Sequence, residues 1–193
     1  MQLLTELGMG TGFPNSAAGI HSNCHGGMEK DLDEADAPYV VKSPALCEHL
    51  DRILQTSDIV IDHAIIPIRN LHDSAESRRD VSRRNQNRRG TPGGVWLTRN
   101  PCHQEAVLAQ QLFNLVHALA KHQVPMIWLY FPRLVKDAHY LYQQLKPVLP
   151  GTDFESFQRA FEAVSRPELV HSFEPQRKGQ NSLLARMLDL LTR

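Results

Sequence analysis

The sequence has no apolar run long enough to cross a bilayer, and its first residues lack the pattern of a signal peptide, so a membrane partner is not expected. Cysteine is scarce: Cys24, Cys47 and Cys102 are scattered and odd in number. That excludes a disulfide framework and suits reduced thiols in a cytoplasmic compartment. Charge of one sign is missing too. Twenty-one basic residues face 21 acidic ones, so no overall field favours a dedicated nucleic-acid binder. No glycine-rich loop follows a strand-like run, and there is no Gly-Lys-Ser/Thr string, which counts against an ordinary nucleotide kinase. Gly8-Met-Gly-Thr-Gly is rich in glycine, but it follows a helix-like stretch and so has the wrong context. Histidine is plentiful. Yet His21, Cys24, His25, Cys102 and His103 have no spacing in which four ligands converge, so no metal is expected.

What is present is organised around residues 59–79. An apolar β-type run, Ile59 to Ile68, turns abruptly polar at Arg69. Asn70 is a helix cap, with Asp73 placed to close the reciprocal bond and to favour the positive end of the dipole. Arg69 therefore stands at the carboxyl end of a strand, where open α/β sheets bind ligands. Ser77 lies roughly two turns into the helix, with Ser74 and Arg78 near the same face. An arginine at a strand tip and a hydroxyl on the next helix suit a phosphate, which accepts a bidentate guanidinium and a further donor.

The rest of the chain alternates. Met1 to Gly8 reads as the last turns of an amphipathic helix, with Leu3, Leu4 and Leu7 on one face and Gly8 at the C-cap. Residues 9–37 are mostly loop, and the acidic run Glu29 to Asp36 is a solvated face. Tyr39-Val-Val is a short strand ending at Lys42, and Pro44 opens a helix over 44–56 with Leu46, Leu50, Ile53 and Leu54 inward. Asn100 and Pro101 start a helix whose apolar face runs through Val107, Leu108, Leu112, Leu115, Val116 and Leu119. Val124 to Phe131 is the strongest strand, apolar enough for a sheet covered on both faces. Helices follow at 135–147, at 152–165 with a Thr152-x-x-Glu155 capping box, and at 181–192. Strands near 39–42, 61–68 and 124–131 predict one α/β domain over 1–193, three-layered with a mostly parallel sheet. Pro67 fits poorly in an inner strand, because it cannot donate to a ladder. The arginine pairs 78–79, 83–84 and 88–89 precede Gly90-Thr-Pro-Gly-Gly. With no aromatic residue among them they form no stacking platform for nucleic acid, which leaves a solvated helix end or a lid facing an anionic site.

Two segments carry a resemblance. Arg69-Asn-Leu-His-Asp-Ser-Ala-Glu-Ser77 resembles the Arg-[Asp/Asn]-Pro-x-Asp-x-x-x-Ser motif of the P-loop-superfamily sulfotransferases, with Leu71 in place of the proline. Pro38-Tyr-Val-Val-Lys-Ser-Pro44 resembles the strand that ends in Lys-Ser-Pro in many members. The resemblance implies that Arg69 and Ser77 hold the 3′-phosphate of 3′-phosphoadenosine 5′-phosphosulfate and that Lys42 meets the sulfuryl group or the leaving phosphate. Glu29, in Gly27-Met28-Glu29, stands where the family often carries its general base; its other reading is an exposed glutamate before an acidic linker. Pro44 occupies the position of the histidine base of other branches. Arg177-Lys178-Gly179 resembles a string that touches the same 3′-phosphate; its other reading is a basic linker before the last helix. Residues 1–8 match the helix after the family's phosphate loop, so the resemblance predicts an N-terminally truncated version of that fold, without its first strand and loop. The implied reaction moves a sulfuryl group from that donor to a hydroxyl or amine acceptor, weakly or not at all in the absence of the loop. A P-loop-like nucleotide kinase and a non-catalytic nucleotide-binding scaffold remain open. The expected partners are the nucleotide donor and an unknown acceptor, and apolar surface beside a missing strand would invite a homo-oligomer.

Overall fold

The computed structural model describes residues 1–21, 26–86 and 90–173. Helix α1 (Gln2–Glu6) stops at Gly8, whose φ of 75° is open to glycine without strain. The amides of Gly8 and Met9 return to the carbonyls of Thr5 and Leu4, the paired bonds of a Schellman ending. A two-residue antiparallel ribbon follows, β1 (Ile20–His21) with β2 (Gly26–Gly27). Nothing in the hydropathy pattern signalled it. Helix α2 (Leu46–Thr56) buries Leu50 and Ile53, as its spacing predicts, although it begins two residues after Pro44.

Strand β3 (Ala64–Ile68) pairs in parallel with β4 (Met126–Tyr130), Ile65 opposite Ile127 and Pro67 opposite Leu129. Between them run α3 (Leu71–Arg84) and α4 (Gln104–Lys121), the latter led in by a 3-10 turn over Pro101–His103. Helices α5 (Ala138–Leu145) and α6 (Phe154–Val164) complete the described chain. Side chains alternate across a strand, so the two faces of the pair carry separate cores. Ile127 and Leu129 pack with Leu4 of α1, Leu141 and Leu145 of α5 and Phe157 of α6. Ile66 packs on the other face with Leu50 of α2 and Ala118 and Leu119 of α4. The chain is α/β, with helices against both faces of a small parallel sheet.

Several expectations are corrected. Residues 39–42 are not a strand: Val40 N–H bonds Gly10 O and Lys42 O accepts from Lys30 N–H, single loop contacts between prolines 38 and 44 that cannot extend a ladder. Among the described residues the parallel sheet therefore has two strands and not three. The next strand begins at Ala64 and not at 61. Pro67 is tolerated because β3 is an edge. Ala64 N–H points to Pro125 O on the β4 side, so by alternation the position of Pro67 faces away from the ladder. Strand β4 is not covered on both faces, since Trp128 is 40 % and Tyr130 57 % exposed.

The helix ends differ as well. Asn70 accepts the Asp73 amide at 3.1 Å, but the Asp73 carboxylate takes the amide of Phe173 at 2.8 Å in place of a reciprocal cap. Asn70→Ala removes the bond that is present and should cost about 1 kcal/mol in a denaturant titration. The buried stripe of α4 is Gln104, Gln111, Ala118 and Leu119, which leaves the expected Leu112 exposed. A 3-10 turn over Arg133–Val135 precedes α5, and Pro147 sits in another after it. Asp153, and not Thr152, caps α6 by accepting the Ser156 amide. The predicted helix 181–192 lies outside the described residues.

Asp51 of α2 ties that helix to the end of α4, accepting from Lys121 at 2.9 Å and from His122 Nε2 at 2.8 Å. The Lys121 bond first, then that of His122, holds its carboxyl below the ordinary aspartate range. A depressed folded-state value means that the stabilisation is complete above the unfolded aspartate range and is lost as pH falls through the folded one. In Asp51→Asn, a plot of unfolding midpoint against pH should be flatter on that acid limb than in the parent.

Candidate functional site

Lys42 ends no strand, yet it is brought together with Glu29 just past the end of β2. The ammonium donates to Gly27 O at 2.7 Å and stands 3.5 Å from the Glu29 carboxylate. The backbone forces this meeting. Gly27 has φ of 125°, and a Cβ there would sit 2.0 Å from Gly19 O, so only glycine lets the two segments close. Met28 follows at φ of 56° with its side chain fully buried, an uncommon backbone for a non-glycine residue that turns Glu29 outward beside Lys42.

Arg69 follows the end of β3, and its guanidinium lies 4.9 Å from the centroid of Phe131. It donates through Nη2 to the carbonyl of His171. Burial works against its charge, offset in part by Asp73. The segment 171–173 thus crosses the start of α3 through two bonds, Arg69 to His171 and Phe173 to Asp73. Ser77 is half-buried on α3 and its hydroxyl makes no hydrogen bond among the described residues, whereas Ser74 is spent on Asn70 O at 3.0 Å. No direct contact joins Arg69 to Ser77; seven residues of helical rise, about 10 Å, separate Ser77 from the Asn70 cap.

Arg78, next to Ser77, links the two groups. Its Nη1 donates to Gly94 O at 2.9 Å and its guanidinium lies 5.6 Å from the centroid of the Trp96 ring. Burial opposes its charge while Glu29 supports it, and Arg78 and Glu29 line one cavity. The other described arginines of the basic stretch are not a free anion-binding face. Arg79 pairs with Glu76, Arg83 with Glu76 and Asp80, and Arg84 with Asp80. Arg88, Arg89 and the predicted Arg177, Lys178 and Gly179 lie outside the described residues.

Beside Glu29 a cavity of about 1000 Å³ opens between the loop 29–34, α3 and the loop 90–99. No sequence signal pointed to it beyond the glycines of the latter loop. Among the described residues no group of three His, Cys, Asp or Glu side chains could hold a metal, and no helix is long and apolar enough to cross a membrane. His21 and Cys102 are exposed, and Cys24 and His25 lie outside the described residues. No protein-family model, no curated protein and no solved structure matches this chain.

Proposed function

We propose that the chain is a sulfotransferase-like protein that binds 3′-phosphoadenosine 5′-phosphosulfate and transfers its sulfuryl group to an acceptor hydroxyl or amine. The observation that carries this reading is the pairing of Lys42 with Glu29 at 3.5 Å, with Glu29 lining the same cavity as Arg78, the neighbour of Ser77 on α3. Arg69 and the free hydroxyl of Ser77 then grip the 3′-phosphate, and Lys42 neutralises charge on the departing 5′-phosphate. Glu29 takes the acceptor's proton as the new O–S or N–S bond forms and the bond from sulfur to the phosphate oxygen breaks, leaving adenosine 3′,5′-bisphosphate. The three-layer sulfotransferase fold is part of the same proposal.

Thermal unfolding tests the reading. Adenosine 3′,5′-bisphosphate should raise the midpoint with no metal present, because a ligand that binds only the folded chain stabilises it. A midpoint raised only by ATP with magnesium would replace the reading with a nucleotide kinase. Binding of the bisphosphate without turnover of the donor would leave a scaffold that kept the clamp.

A further inference from the structure

The cavity beside Glu29 is a built site. Its loop wall is pinned at three points: Val95 N–H donates to Ser82 Oγ at 2.8 Å, Trp96 N–H to Gln104 Oε1 at 2.7 Å and Arg78 to Gly94 O. Gly94 is required, because a Cβ there would meet Ser82 Oγ at 2.7 Å. The wall also holds Leu97 at φ of 54° with its side chain about half exposed. A left-handed, solvent-facing leucine in a rigidly held loop is a conformation kept at a cost, and such strain gathers at ligand sites.

The charges in the walls narrow the ligand. Glu29 is paired with Lys42, and Glu34 with Lys30 at 3.7 Å. Arg78 is held by Gly94 O and the field of Glu29. Among the described residues two charges are left to meet a ligand: the Asp31 carboxylate, bonded only by the Ser43 hydroxyl at 3.1 Å, and the exposed Arg99, which makes no hydrogen bond or ion pair there. One open acid, one open base and a half-buried tryptophan disfavour a polyanion, which would face three carboxylates, and a polycation, which would face three cations. They fit a neutral ligand rich in hydroxyls. Carboxylate and guanidinium forks bond vicinal hydroxyls, and an aromatic side chain covers the apolar C–H face of a sugar ring. The volume stands at the upper end of small-ligand sites, which leaves room for more than a single ring.

We infer that this cavity binds a neutral saccharide, with Asp31, Arg99 and Trp96 as its recognition groups. Glu29 lines the cavity and touches Lys42, so a hydroxyl of that saccharide is the acceptor; this last role rests on the sulfuryl-transfer reading, whereas saccharide binding does not.

The test applies the fluorescently labelled full chain, without nucleotide, to an array of neutral, sulfated, carboxylated and amine-bearing glycans. The best neutral glycan is then titrated into Trp128→Phe, in which Trp96 is the sole tryptophan. Retention on neutral glycans is expected, with a saturable change in Trp96 emission and affinity at least about tenfold lower in Asp31→Asn, whose exposed side chain is not needed for folding. Retention of no neutral glycan, retention confined to charged glycans, or unchanged affinity in Asp31→Asn overturns the inference. Glycan binding by a chain that ignores adenosine 3′,5′-bisphosphate would sink the donor reading and leave the saccharide site standing.

Discussion

Arg69→Ala should weaken adenosine 3′,5′-bisphosphate binding by at least about 100-fold, because truncating a partly buried guanidinium removes a charge-assisted grip worth about 3 kcal/mol. The arginine is held for that task. Phe131 lies beneath it, and among the described residues only one of its five N–H donors is engaged, by the His171 carbonyl. An unfolding titration of the variant separates lost grip from lost stability, since the guanidinium also holds the His171 carbonyl. Equilibrium dialysis with labelled nucleotide measures the effect. Adenosine 5′-phosphate, which lacks the 3′ group, should bind the parent and the variant alike. Equal bisphosphate affinity in the two proteins would remove Arg69 from the clamp.

Phe157→Ala is expected to cost about 3–5 kcal/mol of folding stability, roughly a fifth or more of what a domain of this kind has. Phe157 is 0 % exposed, lies 5.2 Å ring to ring from Tyr142 and belongs to the core that joins α1, α5 and α6 to Ile127 and Leu129 of β4. Truncation leaves a cavity where three helices meet one sheet face, and they cannot all collapse into it. Urea unfolding followed by circular dichroism reads the loss. A cost below about 1 kcal/mol would mean that α6 is not anchored through this residue.

The fold was legible where period and punctuation agreed. Leu50 and Ile53 on α2, Asn70 at the start of α3, Gly8 after α1 and the parallel β3–β4 pair follow from spacing and capping chemistry. It was illegible where tertiary contacts compete with local preference. Tyr39-Val40-Val41 has strand-like residues, but the backbone of Gly10 and Lys30 takes its hydrogen bonds one at a time. On α4 the buried stripe includes two glutamines, which apolar periodicity cannot find; Gln104 is buried because it holds the Trp96 amide.

The candidate site was legible as residues but not as geometry. Lys42 and Glu29 were each singled out from a separate likeness, and neither suggested a contact at 3.5 Å. That contact depends on Gly27 and on the left-handed backbone of Met28, which no hydropathy pattern encodes. Arg78 read as a neighbour of Ser77 and as part of a basic run that was either a solvated helix end or a lid; its burial against Trp96 and Gly94 depends on where the loop 90–99 folds back. Asp73 had a sound local role as a reciprocal cap, and a residue one hundred positions away displaced it.

The clamp of Arg69 and Ser77 is the centre of the proposed function. Its most direct test is isothermal calorimetry of the folded parent chain with adenosine 3′,5′-bisphosphate, beside adenosine 5′-phosphate as the reference. Saturable one-site binding of the bisphosphate is expected, at least about 100-fold tighter than that of the monophosphate, since the 3′-phosphate adds charge-assisted bonds from Arg69 and Ser77. A folded chain that gives no heat with either nucleotide, or binds both equally, contradicts it.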